Sequence, residues 1–485
     1  MSSYIISTAV TTLFAIIIVF FGHKNPAVTW AWLAVVVLIP YVGFFCYLLV
    51  GIENRRYRIF LKKSNGDELL WAGIRDEKLK GLSFHGNQKA ESNDNKILNL
   101  ENADYLEDLF FLNFTGGSGA LTDNNEITPF FEGVSMLENM MDDIKHAKKY
   151  IHLLYYIYRG DSMGLVIMNE LCKKASEGVE VRMMVDGMGS QATGANFFKQ
   201  LVKAGGEVTV FMPPLLTRIN FRNHRKIMIV DGEIGYIGGF NIGDEYMGRH
   251  KKFGFWRDTH IRIFGDAAKE LNIRFLMDWN FFTKNKLTNN LERFFPVLPP
   301  KPGGVKIQIV SSGPDTRFNS IHYGYARMIM KATKSIYIET PYFVPDDCIR
   351  ESLKMAALSG IDVRIIIPAH PDHVFVYHAS LSNLGELLEA GVKCYQYETG
   401  FIHSKMLIID GLVSSVGSAN MDVRSFKMNF EINAFIYDKK TVEIFTRQFL
   451  EDINASNPIL PEDYRSRPIT VKFREAVARM ISPLL

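Results

Sequence analysis

The sequence predicts a duplicated α/β chain behind an N-terminal hairpin of two apolar helices. Three observations carry that expectation. Short β-rich apolar runs alternate with helical patterns over most of the chain, the whole series is run through twice, and the first fifty residues hold two uncharged apolar stretches. At 485 residues the chain is long for a single core, so two or three domains are expected. A 47% hydrophobic and 22% charged composition is that of a globular protein. A net charge of only +3 lacks the basic excess of proteins that track phosphate backbones.

The first element is the hairpin, residues 1–50. "YIISTAVTTLFAIIIVFF" (4–21) carries no charge and, as a helix, reaches about 27 Å, close to a bilayer core. A second uncharged run spans 27–50, with only "GHKNP" between them. A cleaved signal peptide is disfavoured, because no basic n-region precedes the first run and a second full-length run follows at once. The flank "ENRRYRIFLKK" brings Arg55, Arg56, Arg58, Lys62 and Lys63, and the positive-inside rule places it in the cytoplasm. Residues 51–110 are polar and weakly periodic, and are expected to be a connector with some helix and no chemistry.

The first half is expected over 111–295, from "YIHLLYYIY", "SMGLVIMNELCKKASEG", "VEVRMMVDG", "NFFKQLVKAGG" and "EVTVFMP". A Pro/Gly linker at 296–304 can carry neither helix nor central strand. The second half, 305–485, repeats the rhythm in "SIYIETPYFV", "DCIRESLKMAALSG", "IDVRIIIP", "LSNLGELLEAG" and "VKCYQYE". Strands alternating with helices imply a mostly parallel sheet in each half. Repetition at domain length means duplication of a whole unit. A pseudo-twofold axis would then bring the repeated motifs to one interface and build one site from both halves.

The repeated motif is "NHRKIMIVDG" (223–232) and "IHSKMLIIDG" (402–411). Each copy continues in register: His224, Lys226, Asp231, Gly239 and Asn241 against His403, Lys405, Asp410, Ser418 and Asn420. The alternation predicts a strand with His and Lys on one face, and Asp-Gly is a hairpin turn signal. A carboxylate follows in each half, Asp258 in "FWRDTHI" and Glu431 in "MNFEINA". Bound to an imidazole Nδ1–H, such a carboxylate fixes the tautomer and leaves Nε2 free as nucleophile or base. Two His, two Lys and two Asn at one interface supply a nucleophile, a general acid/base and donors for phosphate oxygens. That set suits two-step displacement at a phosphodiester, through a phosphohistidine.

Other chemistries fit less well. One HxK alone would read as a solvated polar face, but its recurrence with the same downstream Gly and Asn placement reverses that. A metal site is disfavoured because each His is paired with a Lys, and a cation beside a divalent ion is unfavourable. Cys46, Cys172, Cys348 and Cys394 are scattered without zinc-ligand spacing, so no disulfide, no metal and no cofactor are expected. "TGGSG" (115–119) lacks the GK[ST] of a phosphate loop.

The paired HxKx₄D elements with downstream G(S/G)xN resemble the phospholipase D superfamily over nearly the whole chain. Within it, "RNHRKIMIVDGEIGYIGGFNIGDEY", "TPYFVPDD" and "FIHSKMLIIDGLVSSVGSANMDVRSFKMNFE" behind a membrane hairpin are similar to the bacterial cardiolipin synthases. The resemblance implies that two phosphatidylglycerol molecules become cardiolipin and glycerol without metal or CTP. It implies a bacterial plasma-membrane enzyme with two transmembrane helices, a cytoplasmic catalytic part and no nucleic-acid partner. It assigns one of His224 and His403 as nucleophile, with a lean to His224, and the other as general acid/base. Lys226, Lys405, Asn241 and Asn420 would bind the phosphoryl group, while Asp231 and Asp410 would hold the halves together.

Two departures make the halves unequal. Leu154 stands where the family often has an acidic or amide residue, kept as Glu339 in the second half, and Gly239 stands where the superfamily has Ser. Either could alter headgroup selection. At the end, Phe473, Val477, Met480, Ile481 and Leu484 at helical spacing, with Lys472, Arg474 and Arg479 among them, predict an amphipathic helix that either docks on the core or touches the membrane. A hydrolase or nuclease of the same superfamily, and an inactive membrane scaffold, are the competing functions.

Overall fold

The computed structural model describes residues 2–21, 26–47, 60, 63–67, 103–117, 119–211, 221–249 and 254–481. Two sheets organise the chain. The first has seven strands in the order Asn125–Phe130, His260–Gly265, Ile234–Gly238, Lys226–Val230, Tyr150–Tyr155, Glu180–Asp186 and Glu207–Phe211. The second repeats that order as Ile307–Ser312, Glu431–Ile436, Val413–Gly417, Met406–Ile409, Ser335–Glu339, Asp362–Pro368 and Lys393–Tyr397. Its nine strands include two short additions at the edges, Leu121–Thr122 and Ser456–Pro458. The duplication expected from the sequence is thus a duplication of strand order.

The expected mostly parallel sheet is corrected. In each repeat only the last three strands of that order run parallel to one another, while the other pairings are antiparallel. The cause is the Asp-Gly turn inside the motif, which sends the chain straight back as a hairpin. Asp231 (φ 54°) and Gly232 (φ 77°) are both left-handed, as are Asp410 (φ 54°) and Gly411 (φ 67°), the backbone of a type I′ turn that matches strand twist.

The motif strands are buried on both faces with a period of two. Ile227 and Ile229 enter a central apolar cluster with Met406 and Ile408, whereas Met228 and Val230, like Leu407 and Ile409, point to the outer helices of their own half. The central cluster also takes Leu271 and Phe275 from helix Ala267–Phe282 and Phe445 and Phe449 from helix Lys439–Asn454. One core therefore joins the two halves.

The chain does not divide where residue 111 was expected to open the first half. Helix Ala103–Gly117 packs on helix Ser320–Lys331, and Leu121–Thr122 pairs with Ile307–Ser312, so both belong to the second half. The first sheet starts at Asn125. Leu106, Leu109 and Phe110 drive that crossing by burying themselves against Ile321, Tyr325 and Ile329.

Helices Ser2–Phe21, Pro26–Leu38 and Pro40–Cys46 pack together around Ile18, Trp32, Val36 and Tyr47. Pro40 splits the second apolar run, since proline has no N–H for the helix ladder. Among the described residues no helix is long and apolar enough to cross a membrane, so the two spans rest on the sequence. Residues 22–25, Arg55, Arg56, Arg58 and Lys62, and most of the connector lie outside the described residues.

The motif aspartates do not tie the halves together, and they do not approach the histidines. Asp231 accepts hydrogen bonds from the backbone N–H of Lys148, Lys149 and Tyr150 at 2.7–2.9 Å, within its own half. Asp410 does the same for Thr333, Lys334 and Ser335. The five-residue strand between Lys226 and Asp231 is about 17 Å long. Replacing either Asp by Ala leaves three backbone donors unpaired and a β-carbon without a local hydrogen bond at positive φ, so a loss of about 2–4 kcal/mol is expected. Thermal unfolding checks this: Asp→Asn should retain much of the stability, and turnover per folded molecule should change little.

Candidate active site

The two HxK elements begin just before their strands, and each docks on the other half. The His224 N–H donates to the Phe430 carbonyl at 2.9 Å, and the His403 N–H donates to the Arg257 carbonyl at 2.7 Å. Phe430 and Arg257 immediately precede Glu431 and Asp258. That backbone pairing delivers each carboxylate to the histidine of the opposite half. His224 Nδ1 lies 3.0 Å from both Glu431 carboxylate oxygens, and His403 Nδ1 lies 2.6 Å from Asp258 Oδ2. The pairs are crossed.

Both histidines line one cleft of about 630 Å³, together with Asn241, Asn420, Tyr156, Trp256, Tyr342, Val376, Arg222 and Arg424. Tyr156 meets the His224 ring edge-on at 4.9 Å, and Trp256 leans on His403 at 5.4 Å. With Nδ1 held by a carboxylate, each ring has Nε2 left for chemistry.

The lysines sit beneath the histidines. Lys226 Nζ donates to the His224 carbonyl at 2.5 Å, and Lys405 Nζ donates to the His403 carbonyl. Both are buried. Asn241 Oδ1 accepts from the Ile157 N–H at 3.0 Å, and its amide donates to the Tyr246 hydroxyl, which sets its orientation in the cleft wall.

Burial sets the protonation states. It pushes His224 down to about 4, against the pull of Glu431. It pushes His403 down to about 4 as well, with Lys405 adding to the effect and Asp258 opposing it. Lys405 falls to about 8, and Lys226 is driven well below its ordinary value, both by burial. Burial raises the carboxyls too, but Lys405 and His403 hold Asp258 below the usual range, and His224, Lys226 and Ser418 do so for Glu431. The site therefore has neutral His224 and His403, ionised Asp258 and Glu431 and destabilised lysine cations, which Asp372 and Asp422 in the cleft wall relieve only in part, so a bound anion would favour the charged lysines.

The two halves solve the same problem with different residues. Ser418 Oγ donates to Glu431 Oε2 at 2.5 Å and accepts from the Ile432 N–H at 3.0 Å. In the first half the carboxylate is one methylene shorter and lies against the backbone, so a β-carbon on Gly239 would meet Asp258 Oδ1 at 1.9 Å. Gly239 is the space that Asp258 needs. The middle residues of the motifs also differ. Arg225 reaches Asp278 at 2.5 Å and the Glu431 carbonyl at 3.2 Å, whereas Ser404 meets Thr259 at 2.8 Å.

Sequence reasoning missed three things here. Arg222 and Arg424 are cleft cations whose only signal was their closeness to His224 and Asn420. Lys63, expected as a flanking charge at the membrane surface, is instead buried between Asp67, Asp278 and Asp315 at 2.7–3.0 Å. Leu154 and Glu339, whose inequality was expected to bear on headgroup selection, are core residues: Leu154 lies in the central cluster, and Glu339 pairs with Arg257 at 3.2 Å while burial pushes its carboxyl up to about 8.

The asymmetry of the carboxylates can be tested. Gly239→Ser should displace Asp258 from His403 and lower turnover by about 10² or more. Ser418→Gly removes one hydrogen bond to a carboxylate that keeps His224 and Asn429, so a loss of about 1.5–3 kcal/mol in stability and a smaller loss of turnover are expected. Equal effects of the two substitutions would contradict the packing described.

A family model described as "Cardiolipin synthase, PLD-like domain" matches residues 140–279 and 325–453, and one described as "Phospholipase_D-nuclease N-terminal" matches residues 10–51. A cardiolipin synthase of Listeria innocua is 44% identical over 99% of this chain and 98% of its own length. Cardiolipin synthase 2 of Staphylococcus epidermidis is 44% identical over 98% of this chain and 96% of its own. Among solved structures, phosphatidylserine synthase of Haemophilus influenzae matches 74% of this chain and 95% of its own with a TM-score of 0.58 and 15% identity, a likeness of fold.

Proposed function

The chain belongs to the cardiolipin synthase family of phospholipase D-like phosphatidyltransferases, and from that premise we propose a two-step phosphatidyl transfer in the cleft with phosphatidylglycerol as donor and acceptor. The observation that supports it is the pair of crossed His–carboxylate contacts facing one cleft over two desolvated lysines.

In the first step His224 Nε2 attacks phosphorus, the bond from phosphorus to the glycerol headgroup oxygen breaks, and protonated His403 gives its Nε2 proton to that oxygen. Glycerol leaves and a phosphatidyl-histidine remains. In the second step a headgroup hydroxyl of another phosphatidylglycerol attacks phosphorus, His403 takes its proton, and the P–N bond breaks to release cardiolipin. One phosphodiester replaces another, so no nucleotide-driven step is needed. The assignment to His224 is supported by the shorter 2.6 Å contact of His403 to Asp258, which favours the imidazolium form that a proton donor requires. Glu431 divides its charge between His224, Ser418 and Asn429. Lys226, Lys405, Asn241 and Asn420 neutralise and hold the non-bridging oxygens.

The enzyme is membrane-associated, with residues 1–50 spanning the bilayer twice and the catalytic halves in the cytoplasm. Supporting this are the uncharged runs, the family match over 10–51, and the exposed Leu13, Val19, Phe20, Trp30, Val37 and Leu38. Lys63 contributes nothing to the cytoplasmic flank, since it is committed to the buried ion cluster.

Mass spectrometry of lipid products from phosphatidylglycerol, with chelator present and CTP absent, tests the activity. Cardiolipin with an equivalent of glycerol is expected, falling by about 10³ or more in His224→Ala and His403→Ala. Phosphatidic acid as the sole product would make water the acceptor. Alkaline denaturation during turnover, followed by peptide mapping, should find the phosphatidyl adduct on His224; an adduct on His403 would exchange the two roles.

A phosphodiester entering the cleft raises the pKa of both imidazoles, so a histidine that is neutral in the empty site gains a proton as the anion binds. Calorimetric titration with the soluble headgroup diester glycerophosphoglycerol at pH 7, in buffers of different ionisation enthalpy, should show net proton uptake. The uptake should fall in His403→Gln, with His224 and the lysines accounting for what remains.

A further inference from the structure

The C-terminal helix Ile469–Ile481 has two apolar faces. The inner face packs on helix Val374–Ser382 and buries Ala478 and Glu475, the latter bonded to Arg467 at 2.6 Å. On the opposite side Ile469, Phe473, Ala476 and Met480 follow one another at spacings of four, three and four, one straight stripe on a helix. Ile469, Phe473 and Met480 are 78%, 70% and 80% exposed, which no core role explains. Exposed Lys472 and Arg479 border the stripe on one side and exposed Arg474 on the other. Glu475, the helix's single carboxylate, is turned inward.

The helix on which the inner face packs also lines the cleft. His373, Val376 and Ala379 line the cleft wall, while Val374 and Phe375 on the same helix are each 57% exposed. We propose that the stripe Ile469, Phe473, Ala476 and Met480 is a docking surface for an anionic bilayer leaflet and, through the helix it packs on, sets the position of the cleft relative to that leaflet. This rests on the phosphatidylglycerol reading of the cleft.

Three arguments select a leaflet as the occupant. The cations flank the stripe on both sides, as on interfacial helices whose apolar face sinks about 5–10 Å below anionic headgroups. A second copy of the chain, set stripe against stripe, would oppose Lys472, Arg474 and Arg479 to their own like charges. The stripe is also carried by a helix packed directly on Val374–Ser382, which lines a cleft whose proposed substrates and product are lipids. The apolar helices at the N-terminus tether the chain, and the terminal helix orients it.

Full-length protein in phosphatidylglycerol vesicles, and in detergent with dispersed short-chain phosphatidylglycerol, separates docking from chemistry. Phe473→Asp with Met480→Asp should lose at least about tenfold in vesicles and change little in detergent, where no leaflet has to be met. Equal loss in both, or no loss in either, would overturn the proposal, as would a loss that accompanies conversion of a dimer to a monomer. If that variant does not fold, Phe473→Ser with Met480→Ser serves the same comparison. Hydrogen exchange of residues 469–481 should be slower in phosphatidylglycerol nanodiscs than in phosphatidylcholine ones; equal exchange would count against docking. Slower exchange with no cardiolipin made by the wild-type chain would keep the docking surface and sink the functional reading instead.

Discussion

Everything in the cleft depends on the exchange of carboxylates between halves. His224 takes Glu431 and His403 takes Asp258, and each contact is set by a backbone hydrogen bond one residue away. A half standing alone would bury a histidine without its acceptor and a carboxylate without its donor, and unpaired buried polar groups of that kind are costly. Duplication therefore did more than double a motif. It made the two copies chemically incomplete without each other, which is why a shared apolar core and crossed polar contacts occur at the same interface.

Behind each histidine lies a buried ion cluster, and the two clusters are built differently. Arg225, between His224 and Lys226, meets Asp278, which also binds Lys63 and Arg274. Phe60 stands edge-on to both Phe221 and Phe430, so the short described stretch after the N-terminal helices is wedged behind the His224–Glu431 contact. On the other side Arg257 binds Glu339 and Asp452 with no contribution from that stretch. Buried ion pairs add little net stability over apolar packing but are expensive to break singly, so their effect is to forbid alternatives to one arrangement. Here they fix the backbone on which each carboxylate is presented.

Much of this was legible in the sequence, and the reason is periodicity. The apolar alternation of IMIV and MLII, the Asp-Gly turns and the repeated His-to-Asn interval are local signals, and the elements they predict are present. What was not legible depends on contacts distant in sequence. Nothing in a strand pattern says whether a carboxylate serves its own half or the other. Nothing in "ADYLEDLFFLNF" says that its apolar face is matched by a helix two hundred residues away. The motif aspartates misled for a related reason: their spacing from His and Lys, the same in both copies, suggested a tie between the halves, yet each satisfies three backbone donors beside a left-handed turn of its own half. The terminal helix was read with one apolar face, and the structure gives it two because its inner contact uses small Ala478 and leaves the bulky residues outside.

The electrostatics of the cleft follow from the same burial that holds the halves together. Removing water lowers the pKa of His224, His403, Lys226 and Lys405, so the site keeps these lysine cations under strain and these two histidines neutral. A phosphodiester brings one more negative charge to a cleft where Asp372 and Asp422 already pull Lys405 back up only in part. That single charge restores the lysines toward their ordinary state and draws a proton onto an imidazole, so substrate binding and arming of the general acid are one electrostatic event. After transfer the phosphorus is again a diester with the same charge, and the site returns to where it began. A near-balanced exchange between two phosphodiesters is what such a site is suited to, because neither half-reaction leaves it holding a charge it cannot neutralise.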